Sequence, residues 1–541
     1  MTAASNGFAI EPLTDFSRAD ARQRMKAAVD QVRGQLGGTY QPVINNKPVS
    51  TPALLDSVNP SHKSQVVGRC GKATAEHANQ AVAAALAAFP AWRDTDVERR
   101  AKLLLDAAHV MRRRRFELAA WQVFECGKQW READADVAEA IDFCDFYAHE
   151  MVQLARPRLR NVPGEDNAYF YEPRGVTVVI APWNFPLAIL TGMTTAALVA
   201  GNTVVMKPAE QSAVTGARLM EIFLEAGAPP GVVNYLPGVG EEVGPALVGH
   251  KDTSLIAFTG SQAVGLLINR QAAEMAPGQA HIKRVIAELG GKNAVIVDDD
   301  ADMDEAVAGV GDSAFGYQGQ KCSACSRVIV PASKYDGFLK RLVEATRSLA
   351  VGPADDPGNF VGPVIDGDAQ TRLLGVIERG KAEAKLAYSA ELGGLLKEGY
   401  YVPPTIFADV APASFLAQQE FFGPILAVLK ANDLGEAIRI ANDVPYALTG
   451  GLFSRSPANI ARVRREFRVG NLYINRKITG ALVDRQPFGG FKMSGIGSKA
   501  GGPDYLLQFL LPRTITENTL RRGFAPETTT SSSAPAPGAG E

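Results

Sequence analysis

Five short runs rich in β-branched residues recur along the middle of the chain, each followed by a segment of helical length. They are VTVVIA (176–181), TVVMK (203–207), VVNYL (232–236), LIAF (255–258) and RVIAE (284–288). Consecutive parallel strands need a long crossover, so strands alternating with helices predict a parallel, doubly wound sheet of the α/β class. Such a sheet takes its ligand at the carboxyl ends of its strands. Here those ends carry PWN, KPAE, PG, TGS and ELGG, where the unusual residues cluster. A second series follows Gly290: AVIVD, SRVIVP with a helix from about Tyr335, ILAVLK, GGLFS and NLYIN. It predicts a further α/β domain.

At 541 residues the chain exceeds what one core organises, so two or three domains are expected. Ahead of the strands, residues 74–92 read as an Ala-rich helix. Residues 97–125 read as one long helix opened by Thr95 and Glu98 in capping-box spacing. Residues 156–176 read as a hairpin interrupting the first domain, and LLQFLLPRTITEN as a late strand. Together they suggest an oligomerisation element. The tail from Pro526 lacks apolar side chains to offset ordering entropy and is expected to be disordered.

Lys plus Arg total 56 and Asp plus Glu 58, which leaves no global field for nucleic acid or anionic lipid. The run MRRRR (111–115) is the local exception and reads as a solvated helix face. No apolar run is long enough to span a membrane. The first residues lack a secretory pattern. Five cysteines, an odd number, argue against a disulfide framework and for a reducing, cytoplasmic setting.

Two of the cysteines, Cys322 and Cys325, stand in GYQGQKCSACSR. A lone C-x-x-C is a poor zinc site, because zinc takes four ligands and no second pair exists, so no metal is expected. Lys321 beside Cys322 would favour the thiolate. On the residues alone, a bland buried cysteine stays open for either position. Asn184, after a near-continuous apolar strand, suits donation to an oxyanion or simply a turn beside Pro182 and Pro186. Glu288, at the inner end of a strand, would have a raised pKa and suit a general base, or else cap a strand at the surface. Lys207 and Glu210 suit a ribose diol, and a carboxylate there would repel a 2′-phosphate, favouring NAD; a surface ion pair is the plain alternative. Gly260 and Ser261 in FTGSQAVG suit a phosphate at a helix N-terminus, or a turn with a cap.

In their order along the chain, APWNFP, KPAE, FTGS, ELGGK, GQKC and EFFGP resemble the aldehyde dehydrogenase superfamily over about residues 40–515. EPLTDFS, EADADVAEAIDF and VGNLYINRKITGALVDRQPFGGFKMSG resemble its 1-pyrroline-5-carboxylate dehydrogenase branch, which oxidises glutamate γ-semialdehyde to glutamate. The resemblance implies a Rossmann-type NAD-binding domain (39–155 and 177–288) and an α/β catalytic domain (289–496). It also implies an N-terminal arm (1–38), a small β oligomerisation element (156–176 and 497–524) and a tail (525–541). It implies Cys322 as nucleophile, Glu288 as base and Asn184, with the Cys322 N–H, as oxyanion donors. NAD would be held by Lys207, Glu210, Gly238, Gly260, Ser261, Trp183, Glu420 and Phe422. The substrate's far carboxylate would be held by Ser323 and the Gly480-Ala481 backbone, its stem by Phe185 and Phe488, and its amino group by Glu139. A small-molecule substrate, a homodimer or larger homo-oligomer, and a proline dehydrogenase partner follow as expectations. An NAD-dependent dehydrogenase of another semialdehyde, such as succinate semialdehyde, would share every catalytic residue. Glu125-Cys126-Gly127-Lys128 departs from the family's usual E-[ST]-G-K.

Overall fold

A computed structural model describes residues 7–520. The expected disordered tail lies outside them. The helices of the first half are α1 (Ala19–Arg33), α2 (Ala75–Arg93), α3 (Val97–Arg113), α4 (Arg115–Cys126), α5 (Trp130–Leu154), α6 (Ala188–Val199), α7 (Ala213–Glu225), α8 (Gly240–Gly249) and α9 (Gln262–Ala273).

The five strands are β1 (Val176–Ile180), β2 (Thr203–Lys207), β3 (Val233–Tyr235), β4 (Thr253–Thr259) and β5 (Arg284–Glu288). They pair in parallel in the spatial order 3-2-1-4-5. The order reverses between β1 and β4, so the crevice at their carboxyl ends is the topological switch point where a doubly wound sheet takes its ligand. Short antiparallel strands close both edges: Val43–Ile44 pairs with β3 and Gly495–Ile496 with β5. β1 and β2 are buried on both faces apart from Ile180, which is why they read as continuous apolar runs.

The second sheet has seven strands. In chain order they are β6 (Asn293–Val297), β7 (Cys325–Pro331), β8 (Lys385–Ser389), β9 (Thr405–Ala408), β10 (Ile425–Ala431), β11 (Thr449–Phe453) and β12 (Asn471–Ile474). Their spatial order is 8-9-10-7-6-11-12, parallel throughout except for β8. The late strand Leu510–Asn518 pairs along its whole length with Glu165–Pro173, which also pairs with Arg158–Leu159. The hairpin and the late strand thus form one small sheet with Leu510–Asn518 at its edge.

Two expectations fail in the first half. Residues 97–125 are two helices, broken at Arg114, and the capping box does not form. Thr95 Oγ1 donates to the Ala91 carbonyl at 2.8 Å, and Asp96 occupies the cap. The arginine run is a solvated face only in part: Arg112 and Arg113 are exposed, while Arg114 and Arg115 are half-buried. Met111 is fully buried, and Arg114 pairs with Glu117 and Glu221. Arg112 and Arg115 pair with Glu11 of the N-terminal segment, and Arg115 also with Asp134. At Arg114 the backbone leaves the helical range, at φ −98° and ψ 15°, and α4 restarts with Arg115 directed to Glu11 and Asp134. The N-terminal segment is also more than a loose arm: Met25, Val29 and Val32 of α1 sit in the largest core cluster, with α3, α4, α5 and α6.

Candidate active site

Cys322 lies in the turn between the 3-10 segment Gly316–Gly319 and β7. Tyr317 and Gln318 in that segment are left-handed, with φ of 49° and 56°. Two such non-glycine residues in succession are strained and persist only where their surroundings over-determine them. Tyr317 Oη donates to the Cys126 carbonyl at 3.0 Å. Gln318 Nε2 donates to the Pro363 carbonyl at 2.7 Å, and Gln129 Nε2 donates to Gln318 Oε1 at 2.7 Å. After the turn, Asn293 Nδ2 donates to the carbonyls of Cys322 and Ala324 at 2.7 and 2.9 Å. The Cys322 backbone is therefore fixed from both sides.

Asn184 comes from the loop after β1 and is 4% exposed. Its Nδ2 donates to the Gln320 carbonyl at 3.1 Å, which uses one of its two amide hydrogens. The loop is pinned by Lys128, whose Nζ donates to the Asn184 carbonyl at 2.7 Å and lies over the rings of Phe185 and Tyr317. Asp136 accepts from Ala188 N at 3.1 Å and secures the start of α6.

Cys322 and Glu288 line the same cavity, of about 90 Å³. Ser323, Gly480, Ala481, Phe185, Phe488 and Glu139, the residues expected to hold the substrate's carboxylate, stem and amino group, line it too. Asn184 adjoins the Cys322 loop through Gln320 and is not part of the lining. The walls also include Phe143 and Tyr147 of α5, Met193 of α6, and Tyr505. Gly480 has φ +74°, a left-handed conformation that any side chain would strain.

Burial raises the Glu288 carboxyl to about 8, and its Oε1 has no hydrogen-bond partner among the described residues. Burial raises Glu139 to about 8 as well, assisted by Asp136. The Cys322 thiol is pushed far above its ordinary value, first by burial and then by the carboxylates of Glu288, Glu420 and Glu139. This overturns the expectation that Lys321 favours the thiolate: its Nζ sits 2.7 Å from Glu132 Oε1 and serves that carboxylate instead. Cys325 faces a core cluster between β6, β7 and their helices, and its Sγ donates to the Arg327 carbonyl at 3.3 Å. All five cysteines are free, and no cluster suited to a metal occurs among the described residues.

Of the expected cofactor residues, Trp183, Lys207, Glu210, Gly238, Gly260 and Ser261 stand at or just past the carboxyl ends of β1 to β4, and Glu420 and Phe422 come from the segment before β10. Lys207 ends β2, and its Nζ lies 3.2 Å from Glu210 Oε1, which also accepts from Gly240 N at the start of α8. Ser261 follows β4 and caps α9, accepting from Val264 N at 3.3 Å. Gly260 and Gly238 stand at the same strand ends, where an added Cβ would come within 2.7 Å of a neighbouring side chain. Across the crevice, Glu420 Oε1 accepts from Gly291 N at 2.9 Å. A Cβ on Gly290 would fall 1.9 Å from the Glu420 carboxylate, so only glycine lets the two segments meet. The Trp183 and Phe422 rings meet edge to face at 5.6 Å, joining the loop after β1 to the Glu420 segment. An ammonium–carboxylate pair for a ribose diol, a helix N-terminus for a pyrophosphate and a second carboxylate beyond it fit a dinucleotide.

Lys128, Asp136, Gln318 and Glu132 escaped the sequence reading. Each stands in a motif quoted above without a role assigned to it; Lys128, Asp136 and Gln318 are fully buried and Glu132 is partly exposed. Cys126, the departure in Glu125-Cys126-Gly127-Lys128, is fully buried, while Glu125 accepts from Val214 N, Thr215 N and the Ser57 hydroxyl.

A model of the aldehyde dehydrogenase family matches residues 48–515. The chain is 49% identical over 508 residues to a 1-pyrroline-5-carboxylate dehydrogenase of Geobacillus thermodenitrificans, covering 94% of this chain and 98% of that protein. It resembles a crystal structure of 1-pyrroline-5-carboxylate dehydrogenase from Thermus with bound NAD, with a TM-score of 0.93, 49% identity, and coverage of 96% and 100%. It also resembles proline utilization A from Bdellovibrio bacteriovorus, with a TM-score of 0.95 and 55% identity, covering 98% of this chain and 55% of that longer one.

Proposed function

The chain belongs to the aldehyde dehydrogenase family, and from that premise we propose that it oxidises L-glutamate γ-semialdehyde, formed from 1-pyrroline-5-carboxylate, to L-glutamate with NAD. The observation that carries the substrate is the meeting of Cys322, Glu288, Ser323, Gly480-Ala481 and Glu139 in one aromatic-walled cavity. Ser323 and the Gly480-Ala481 backbone hold the far carboxylate, Phe185 and Phe488 pack the stem, and Glu139 faces the amino group. Hydrogen bonds to a charged group contribute about 1.5–3 kcal/mol each, enough to favour this substrate over a plain aldehyde. A succinate semialdehyde has no amino group for Glu139, whose buried carboxyl is the feature that separates the two readings.

In the mechanism, the Cys322 sulfur adds to the aldehyde carbon while Glu288 takes the thiol proton. The remaining Asn184 amide hydrogen and the Cys322 N–H face the oxygen as it becomes negative. NAD, when bound, supplies the two-electron acceptor for the carbon-bound hydrogen. Lys207, Glu210, Ser261 and Glu420 hold it, with Gly238, Gly260, Trp183 and Phe422 shaping the crevice. Once Glu288 has released the first proton to solvent, it deprotonates a water whose oxygen attacks the Cys322 thioester carbon; the C–S bond breaks, the sulfur regains a proton from Glu288, and the product leaves as a carboxylate with its acid proton passing to solvent.

The same proposal covers assembly and setting. Leu510–Asn518 is an edge strand whose Leu511 and Ile515 are exposed, and an exposed apolar edge favours pairing with a second copy. A homo-oligomer built on this sheet follows, working in the cytoplasm, where its five free thiols stay reduced, on the product of a proline dehydrogenase. No described helix is long and apolar enough to cross a membrane.

The deciding experiment measures steady-state NADH formation on glutamate semialdehyde, succinate semialdehyde and propanal. A preference of about tenfold or more for glutamate semialdehyde supports the reading. Equal or faster turnover of succinate semialdehyde overturns the substrate while leaving the enzyme class intact.

A further inference from the structure

The match to the family model begins at residue 48, yet residues well ahead of it help to build the approach to Cys322. Glu11, Leu13 and Phe16 line a second cavity, of about 670 Å³. This cavity shares Glu139, Phe185, Gly480 and Ala481 with the Cys322 pocket, so it is the vestibule of that pocket.

The segment is docked on α5 at two places. Glu11 N donates to Asp142 Oδ1 at 2.7 Å. Three residues on, Thr14 N donates to Asp134 Oδ2 at 2.8 Å and Thr14 Oγ1 donates to Asp134 Oδ1 at 2.6 Å. Asp134 is 1% exposed, and Arg115 completes its shell with Nε and Nη2 at 2.7 and 2.8 Å. Arg115 Nη1 also reaches Glu11 Oε1 at 3.0 Å, so one guanidinium clamps the segment and α5 together. The Phe16 ring packs on Trp130, the first residue of α5, at 5.8 Å. Asp134 and Asp142 stand two turns apart, and Glu139 lies between them on the same helix. Leu13, between the two docking points, remains 58% exposed beside the vestibule and is not drawn into the core.

We propose that Glu11–Phe16 is a specificity strap: it forms one wall of the substrate approach and, through Asp134 and Asp142, holds α5 so that Glu139 is presented to the substrate opposite Gly480-Ala481. Thr14 and Glu11 are positioning residues, and Leu13 sets the width of the approach. The inference rests on reading the Cys322 cavity as the site for an amino-acid semialdehyde.

The test measures kcat and KM at saturating NAD on glutamate semialdehyde and on propanal, for the parent enzyme and for Thr14→Val, Thr14→Ser and Leu13→Trp. Thr14→Val keeps the volume but removes the hydroxyl donor to Asp134. It is expected to raise KM for the semialdehyde about tenfold with a much smaller change in kcat, lowering the ratio of the two kcat/KM values about tenfold. Thr14→Ser is expected to restore the parent ratio, which a loss of packing alone would not do. Leu13→Trp, at an exposed site, is expected to lower the ratio by slowing the larger aldehyde. A parent enzyme with no preference for the semialdehyde defeats the substrate reading itself. A selective parent whose ratio survives both Thr14→Val and Leu13→Trp overturns the strap. If Thr14→Val does not fold, Leu13→Trp decides alone.

Discussion

The Lys321 ammonium lies 2.7 Å from the Glu132 carboxylate and ties the residue before Cys322 to α5. Burial, followed by the carboxylates of Glu288, Glu420 and Glu139, opposes ionisation of the Cys322 thiol. In the proposed mechanism ionisation comes from transfer of the thiol proton to Glu288, whose carboxyl burial raises to about 8. A base raised to that value is protonated below it and competent above it, so kcat/KM is expected to climb as pH rises through about 8. Glu288→Gln should abolish that rising limb. A profile flat from about pH 6 to 9 in the parent enzyme would refute Glu288 as the proton acceptor.

The two cysteines of the C-x-x-C spacing have separate surroundings: Cys322 lines the cavity and Cys325 is 2% exposed in a core cluster. Cys322→Ala is expected to lose NADH formation entirely. Cys325→Ala leaves a small void, costing about 1 kcal/mol of stability, and should retain most activity. Equal loss in both variants, measured on folded protein, defeats the single-nucleophile reading.

The strands were readable because buried parallel strands announce themselves as apolar runs; β1 and β2 are the plainest cases. Asn184, Lys207, Ser261 and Glu288 stand at or just past strand ends of the doubly wound sheet, where a ligand is expected, whereas Cys322, Ser323, Gly480, Phe488 and Glu139 were legible only through the family resemblance. What could not be read were the side chains that brace those ends from a distance. Lys128 holds the Asn184 carbonyl across 56 positions and Gln129 holds Gln318 across 189. Nothing in local periodicity reports such contacts. The Lys321 error has the same origin: sequence adjacency to Cys322 suggested an electrostatic pairing, but Lys321 pairs instead with Glu132, 189 positions away.

The proposed role of Glu210 in cofactor choice has a direct test. Its Oε1 is shared between Lys207 Nζ and Gly240 N, which leaves a carboxylate at the end of β2 where a 2′-phosphate would approach. Glu210→Ser removes the repulsion and frees Lys207 to meet a phosphate. The expected outcome is a fall in kcat/KM with NAD and a rise of about tenfold with NADP, read from steady-state rates with each cofactor. No gain with NADP would show that discrimination lies elsewhere in the crevice.

The acids buried around α5 make stability fall as pH rises. Burial raises Asp136 to about 6, Glu125 and Asp142 to about 7, and Glu139 and Glu288 to about 8. Each folded-state value exceeds its unfolded value near 4, so the neutral form is the one that folding favours. Stability from these groups is complete below about pH 4 and is lost progressively as pH rises through 6 to 8. Acids with lowered values, such as Glu132 beside Lys321, act in the opposite sense only on the acid side. The melting midpoint is therefore expected to drop between about pH 5.5 and 8.5. Glu139→Gln, which cannot ionise, should raise the midpoint by about 2 °C at the upper pH and change it far less at the lower one. A variant whose midpoint falls with pH as steeply as the parent's would remove Glu139 from the set of groups that destabilise the alkaline protein.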